Sequence, residues 1–233
     1  MKKRLLRILL AGLLALSPVL TVLVAVVAPI VATLLNTQKV YAVTRELYWV
    51  GGTAAWDGTA GTKWSLSDGG GGGEAVPDSD DNVYFTAASG AVTVTVTWDV
   101  NCANLDASAF TGNFATNNPG INVYGNLILG ASNGFTGPAG GIPFTFKSTT
   151  TGKTITTNGK TFLLGFTFNG IGGEWTLQDN LTFSTTLSGI TITNGSLITN
   201  NKTITMTSSF SMSGGYCTLG TTTINIAGNV GSV

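Results

Sequence analysis

Apolar residues recur in this chain with a period close to 21, and that period limits the folds open to it more than any other feature. Ile121, Ile142, Phe162, Phe183, Ile204 and Ile224 are spaced 21, 20, 21, 21 and 20 apart. A second column runs Ile155, Trp175, Leu197, Leu219, and a third runs Phe168, Ile190, then Phe210 or Met212. Longer echoes reinforce the period. Thr116-Asn117-Asn118, Thr157-Asn158-Gly159-Lys160-Thr161-Phe162 and Thr199-Asn200-Asn201-Lys202-Thr203-Ile204 recur at offsets of 41 and 42.

Within each unit the chain alternates at period 2, as in Phe166-Thr167-Phe168, Leu181-Thr182-Phe183, Ile190-Thr191-Ile192 and Ile204-Thr205-Met206. Alternation of this kind puts every second side chain on one face of a strand and leaves a hydroxyl on the other. The apolar runs are three to five residues long and end at Asn-Gly, Gly-Gly or Ser-Gly. Three short strands per unit of about 21 residues suit a parallel β-helix, whose coils stack about 4.8 Å apart so that like residues pile into one core. The expected fold is therefore all-β, a right-handed single-stranded parallel β-helix. An antiparallel sandwich also uses short strands but does not require columns at a constant period. Threonine suits the outer face because its β-branch favours extended backbone while its hydroxyl meets water. Asparagine at Asn158, Asn200 and Asn201 suits corners, since it tolerates left-handed backbone.

Charge divides the chain unevenly. Lys2, Lys3, Arg4 and Arg7 precede a long apolar run from Ile8 to Leu35 broken by Pro18 and Pro29, and Val40-Tyr41-Ala42 offers small or modest residues at a cleavage site. Residues 1–42 read as a cleaved signal peptide or an uncleaved N-terminal membrane anchor. Either way the basic end stays in the cytoplasm and the remainder is expected outside, secreted or on the cell surface. From Val43 onward six Lys/Arg face eleven Asp/Glu, a net of about −5, so no basic surface for nucleic acid is expected.

Residues 43–85 form a Trp- and Gly-rich lead-in, and 86–233 the β-helix proper. Stacked coils expose the apolar ends of the stack, and terminal units must cover them. Trp49, Trp56 and Trp64 suit such a cap; the other reading makes them a carbohydrate platform, since indole faces stack on sugars. Asp78, Asp80 and Asp81 supply hard oxygen ligands for calcium, or else cap a turn by accepting backbone N–H bonds. Calcium is the one cofactor these residues suggest. At the other end, Ile226 to Val233 brings no change of composition, which predicts a C-terminal continuation or a partner over the last coil. Cys102 and Cys217 lie too many coils apart for a disulfide and read as buried free thiols.

Several segments together resemble the opening of large secreted bacterial β-helix proteins, of the autotransporter-passenger and pectin-lyase-like kinds. They are Tyr48-Trp49-Val50-Gly51-Gly52 with Trp56, Lys63-Trp64-Ser65, Pro77 to Phe85, Asn101 to Leu105 and Gly173 to Leu177. The resemblance implies the β-helix and an extracytoplasmic setting. It says little of activity, because that superfamily holds adhesins, stalks, lyases and hydrolases. Its enzymes carry catalytic Asp, Arg, Lys or His on the outside of the coils. After Asp106 this chain has only Lys147, Lys153, Lys160, Glu174, Asp179 and Lys202 of those kinds, and no catalytic set is assigned. Asp179 with Lys160 or Lys202 is expected to form exposed ion pairs. The sequence thus points to a structural or adhesive module, with polysaccharide or cell-surface components as partners. The alternative is a non-catalytic piece of a polysaccharide-active or polysaccharide-binding protein.

Overall fold

A computed structural model describes residues 43–116, 119–136, 143–186, 189–227 and 230–232. Residues 1–42, on which the signal-peptide or anchor expectation falls, and, within the repeat, Asn117, Asn118 and Ile142 lie outside those residues. The described chain is a right-handed parallel β-solenoid with three faces.

The first face stacks Val100–Cys102, Ile121–Val123, Phe144–Phe146, the start of Phe166–Leu177, the start of Ile190–Ile198, Phe210–Met212 and Val230–Ser232. The second stacks Glu46–Trp49, Asn82–Tyr84, Leu105–Ala107, Leu127–Leu129, Lys153–Thr156, the ends of the same two long strands, and Tyr216–Thr218. Because Phe166–Leu177 and Ile190–Ile198 run through the corner, these two faces merge into one 14-stranded sheet. The third face holds two 4-stranded sheets. One is Ala54–Trp56, Thr93–Val96, Asn113–Thr116 and Gly134–Thr136; the other is Thr161–Phe162, Leu181–Phe183, Ile204–Met206 and Ile224–Ile226.

Alternation decides which side chains turn inward, and parallel register then sets them in files. Leu47, Val83, Leu105, Leu127, Ile155 and Leu177 make one file, each at most 1% exposed. Val100, Ile121, Phe144, Phe166, Ile190 and Phe210 make a second. Cys102, Val123, Phe146, Phe168, Ile192 and Met212 make a third. Aromatic rings meet edge to face or offset within this core, as Phe85 with Phe114 at 4.9 Å and Phe162 with Phe166 at 4.7 Å.

The files correct the columns drawn from the sequence. Ile155 lies under Leu177, and Trp175 over Lys153 and under Leu197, which Cys217 continues in place of Leu219. Phe168 stacks on Ile192, while Ile190 stacks on Phe166. Phe162 pairs with Phe183, but Ile204 pairs with Leu181, and Ile121 belongs to the first face under Phe144. Most of these slips are two residues, the spacing between neighbouring inward positions on one strand.

The corners explain the longer echoes. Thr157 and Thr199 are buried at the turn from the second face to the third. The Thr157 hydroxyl donates to Asp179 Oδ1 (3.0 Å), and the Thr199 hydroxyl to the Leu219 carbonyl (2.8 Å). Asn158, Asn200 and Asn201 take left-handed backbone (φ 51°, 51° and 59°), as their place in the sequence predicts. Asn158 and Asn200 each donate from Nδ2 to a carbonyl of an earlier coil, Leu129 and Leu177. Thr116 ends a third-face strand, so its resemblance to Thr157 crosses from one corner to another.

Candidate functional site

The lead-in closes one end of the core. Trp64–Ser65 pairs antiparallel with Glu46–Trp49 and is the terminal strand of the large sheet. Trp49, Trp56 and Trp64 surround Phe85, with T-shaped contacts of 5.1 Å (Trp49 to Trp64) and 5.2 Å (Trp56 to Trp64). All three indoles are at most 1% exposed, so their faces meet one another and Phe85, and none is offered to a sugar ring. The Trp49 Nε1–H donates to the Gly52 carbonyl at 3.0 Å.

Asp78, Asp80 and Asp81 fall in one turn with unequal roles. Asp81 is 1% exposed and accepts from Arg45 through Nε (2.9 Å), Nη2 and the backbone N–H (3.1 Å). It also accepts from the Asp78 N–H at 2.9 Å, while Asp78 Oδ1 accepts from the Asp80 N–H at 2.9 Å. Burial alone would push the Asp81 carboxyl up, but the Arg45 guanidinium and these backbone donors hold it below the usual carboxylate range. Asp81 is thus committed to Arg45, and the turn is capped by its own carboxylates. No group of three His, Cys, Asp or Glu among the described residues is placed to hold a metal.

Lys160 and Asp179 correct the expected ion pairs. Lys160 donates through Nζ to the carbonyls of Ala131 (2.7 Å) and Asn133, and burial pushes its pKa down. The two Asp179 oxygens accept from the Thr157 backbone N–H at 2.9 and 3.0 Å, and Oδ2 also from Gly159 N–H at 3.3 Å. Both charged groups bind backbone at the same corner because the coil turn leaves N–H and carbonyl groups there without ladder partners.

The outer rows are polar and largely uncharged. On the second face Asn82 donates to Glu46 Oε1 (2.8 Å) and Asn104 to Asn82 Oδ1 (2.6 Å); Asn104 Oδ1 then accepts from Asn126 N–H at 2.6 Å. Thr145, Thr167, Thr191 and Ser211 follow one another up the first face. Sequence reasoning missed Trp98, which is 68% exposed at the corner leading to Val100–Cys102. It missed a corner groove as well. The cavity, of about 340 Å³, lies where the third face turns into the first, between Pro143 and Ser209. Its signal was present in the sequence: Gly120, Pro143, Gly165, Gly189 and Ser209 occupy the same position in successive coils.

Comparison with protein-family models, with curated proteins and with solved structures finds no match. The fold therefore rests on the stacking itself.

Proposed function

We propose that this chain is an extracytoplasmic structural module of a secreted or cell-surface protein, a stiff stalk of the adhesive kind like the bacterial β-helix proteins it resembles. The observation that carries the reading is the set of unbroken files from Leu47 to Leu177 and from Val100 to Phe210. Each coil shares its core and its backbone hydrogen bonds with the next, so bending the axis means breaking both. The outward rows of Thr, Asn and Ser keep such a rod hydrated with little charge. The four basic residues before the N-terminal apolar run support export.

The test is protease accessibility in intact bacterial cells expressing the full chain. External protease should reach an epitope placed after Val233 without lysis. Protection until lysis would overturn the extracytoplasmic assignment. Retention of the chain-bearing cells on a coated surface, against cells lacking the chain, tests the adhesive half.

A further inference from the structure

We propose that the corner groove binds a linear, uncharged polysaccharide laid along the solenoid axis, about one sugar unit per coil. This deepens the adhesive reading by naming the class of partner, and it rests on that reading only for its biological setting.

The groove exists because each coil turns this corner on a small residue. A Cβ on Gly165 would lie 2.7 Å from the Gly189 carbonyl oxygen, and one on Gly189 would lie 2.1 Å from that of Ser209. The backbone therefore closes up with no side chain above it, and its carbonyls are spent on the ladder: Phe166 N–H to Gly189 O at 2.9 Å and Ile190 N–H to Ser209 O at 3.2 Å. A trough results with the length of several coils and a volume within the range of ligand sites.

Its walls are of two kinds. Pro143, at the corner, and Leu164, just before it, give apolar surface, and Thr167 and Thr191, after it, give hydroxyls from adjacent rungs. Neither of these hydroxyls is spent on a hydrogen bond among the described residues, whereas Ser208 Oγ donates to the Thr186 carbonyl at 2.9 Å. A pyranose ring has the matching character, apolar C–H faces rimmed by hydroxyls. A polymer of such rings repeats along its length, as the rungs do about every 4.8 Å. Among the described residues the lining carries no ionisable side chain, so a uronate or sulfated chain would bring charges with nothing there to meet them.

Isothermal titration of the full chain with cellohexaose, mannohexaose and hexagalacturonate tests this. At least one neutral hexasaccharide should bind saturably, and hexagalacturonate more weakly. The double variant Thr167→Val, Thr191→Val keeps the β-branch and removes both hydroxyls, and should weaken that binding at least about tenfold. Thr205→Val, on the third face, should change nothing. Absence of neutral binding, tighter binding of hexagalacturonate, or equal binding by the double variant at unchanged melting temperature would each overturn the groove assignment. A chain that is exported yet binds no hexasaccharide defeats the groove and leaves the stalk; a chain that binds but stays inside the cell does the reverse.

Discussion

Asp81 and Arg45, 36 residues apart in sequence, form a paired contact at the foot of the solenoid in which Asp81 is buried and Arg45 is about a quarter exposed. The pair ties the residues just ahead of Glu46–Trp49 to the turn just ahead of Asn82–Tyr84. It thereby joins the first two rungs of the second face.

Removing one partner of a buried pair strands the other. Arg45→Ala should therefore cost about 3 kcal/mol, at the low end for such pairs because the guanidinium keeps some water. The midpoint of urea denaturation, at unchanged slope, checks this.

The same contact gives a pH dependence of known sign. Asp81 has a folded pKa held below its unfolded value, so its contribution is complete above about pH 4 and is lost as pH falls through the depressed folded value. Asp57, held down by Lys63 and the Thr59 N–H against the upward push of burial, adds in the same direction. Melting temperature should fall below about pH 4 in the native chain, and fall less steeply in Asp81→Asn, which begins from a lower stability. Equal slopes would show that the pair is not the group being titrated.

Cores made of files make the cost of truncation depend on position in the file. Phe166 touches Phe144, Phe146, Phe162 and Phe183 and is 1% exposed. Phe166→Ala should cost about 3 to 5 kcal/mol, whereas Trp98→Ala should stay within about 0.5 kcal/mol of the native chain. Equilibrium unfolding of the two variants side by side tests whether burial or mere aromatic bulk governs stability.

How much of this was legible in the sequence depends on the scale asked about. The period and the alternation gave the solenoid, because only stacked coils reward a constant spacing. Register within a strand was not legible: Phe166 and Phe168 both face inward, and composition does not say which of them meets Ile190. The left-handed corners at Asn158, Asn200 and Asn201 could be read because few residues tolerate that backbone. The Arg45–Asp81 pair could not, since its partners come from two loops that only the fold brings together. The groove was hidden for the opposite reason. It is made by missing side chains at Gly165 and Gly189, and glycine at a turn explains itself without a cavity.

The two thiols should separate by environment. Cys102 sits under Val123 in a closed file, and burial pushes its thiol far above the ordinary range. Cys217 lies over Leu197 in a later coil, half-buried, with its thiol pushed up to about 11 by burial. Since the thiolate is the reactive form, neither should react quickly with a disulfide reagent at pH 8 in the folded chain. Raising the pH toward 11 should accelerate one equivalent, assigned to Cys217 by its loss in Cys217→Ser. The second should appear only with denaturant. Two fast equivalents in native buffer would mean that the file holding Cys102 opens without global unfolding, and the coils would then not be the shared, cooperative core that a stalk requires.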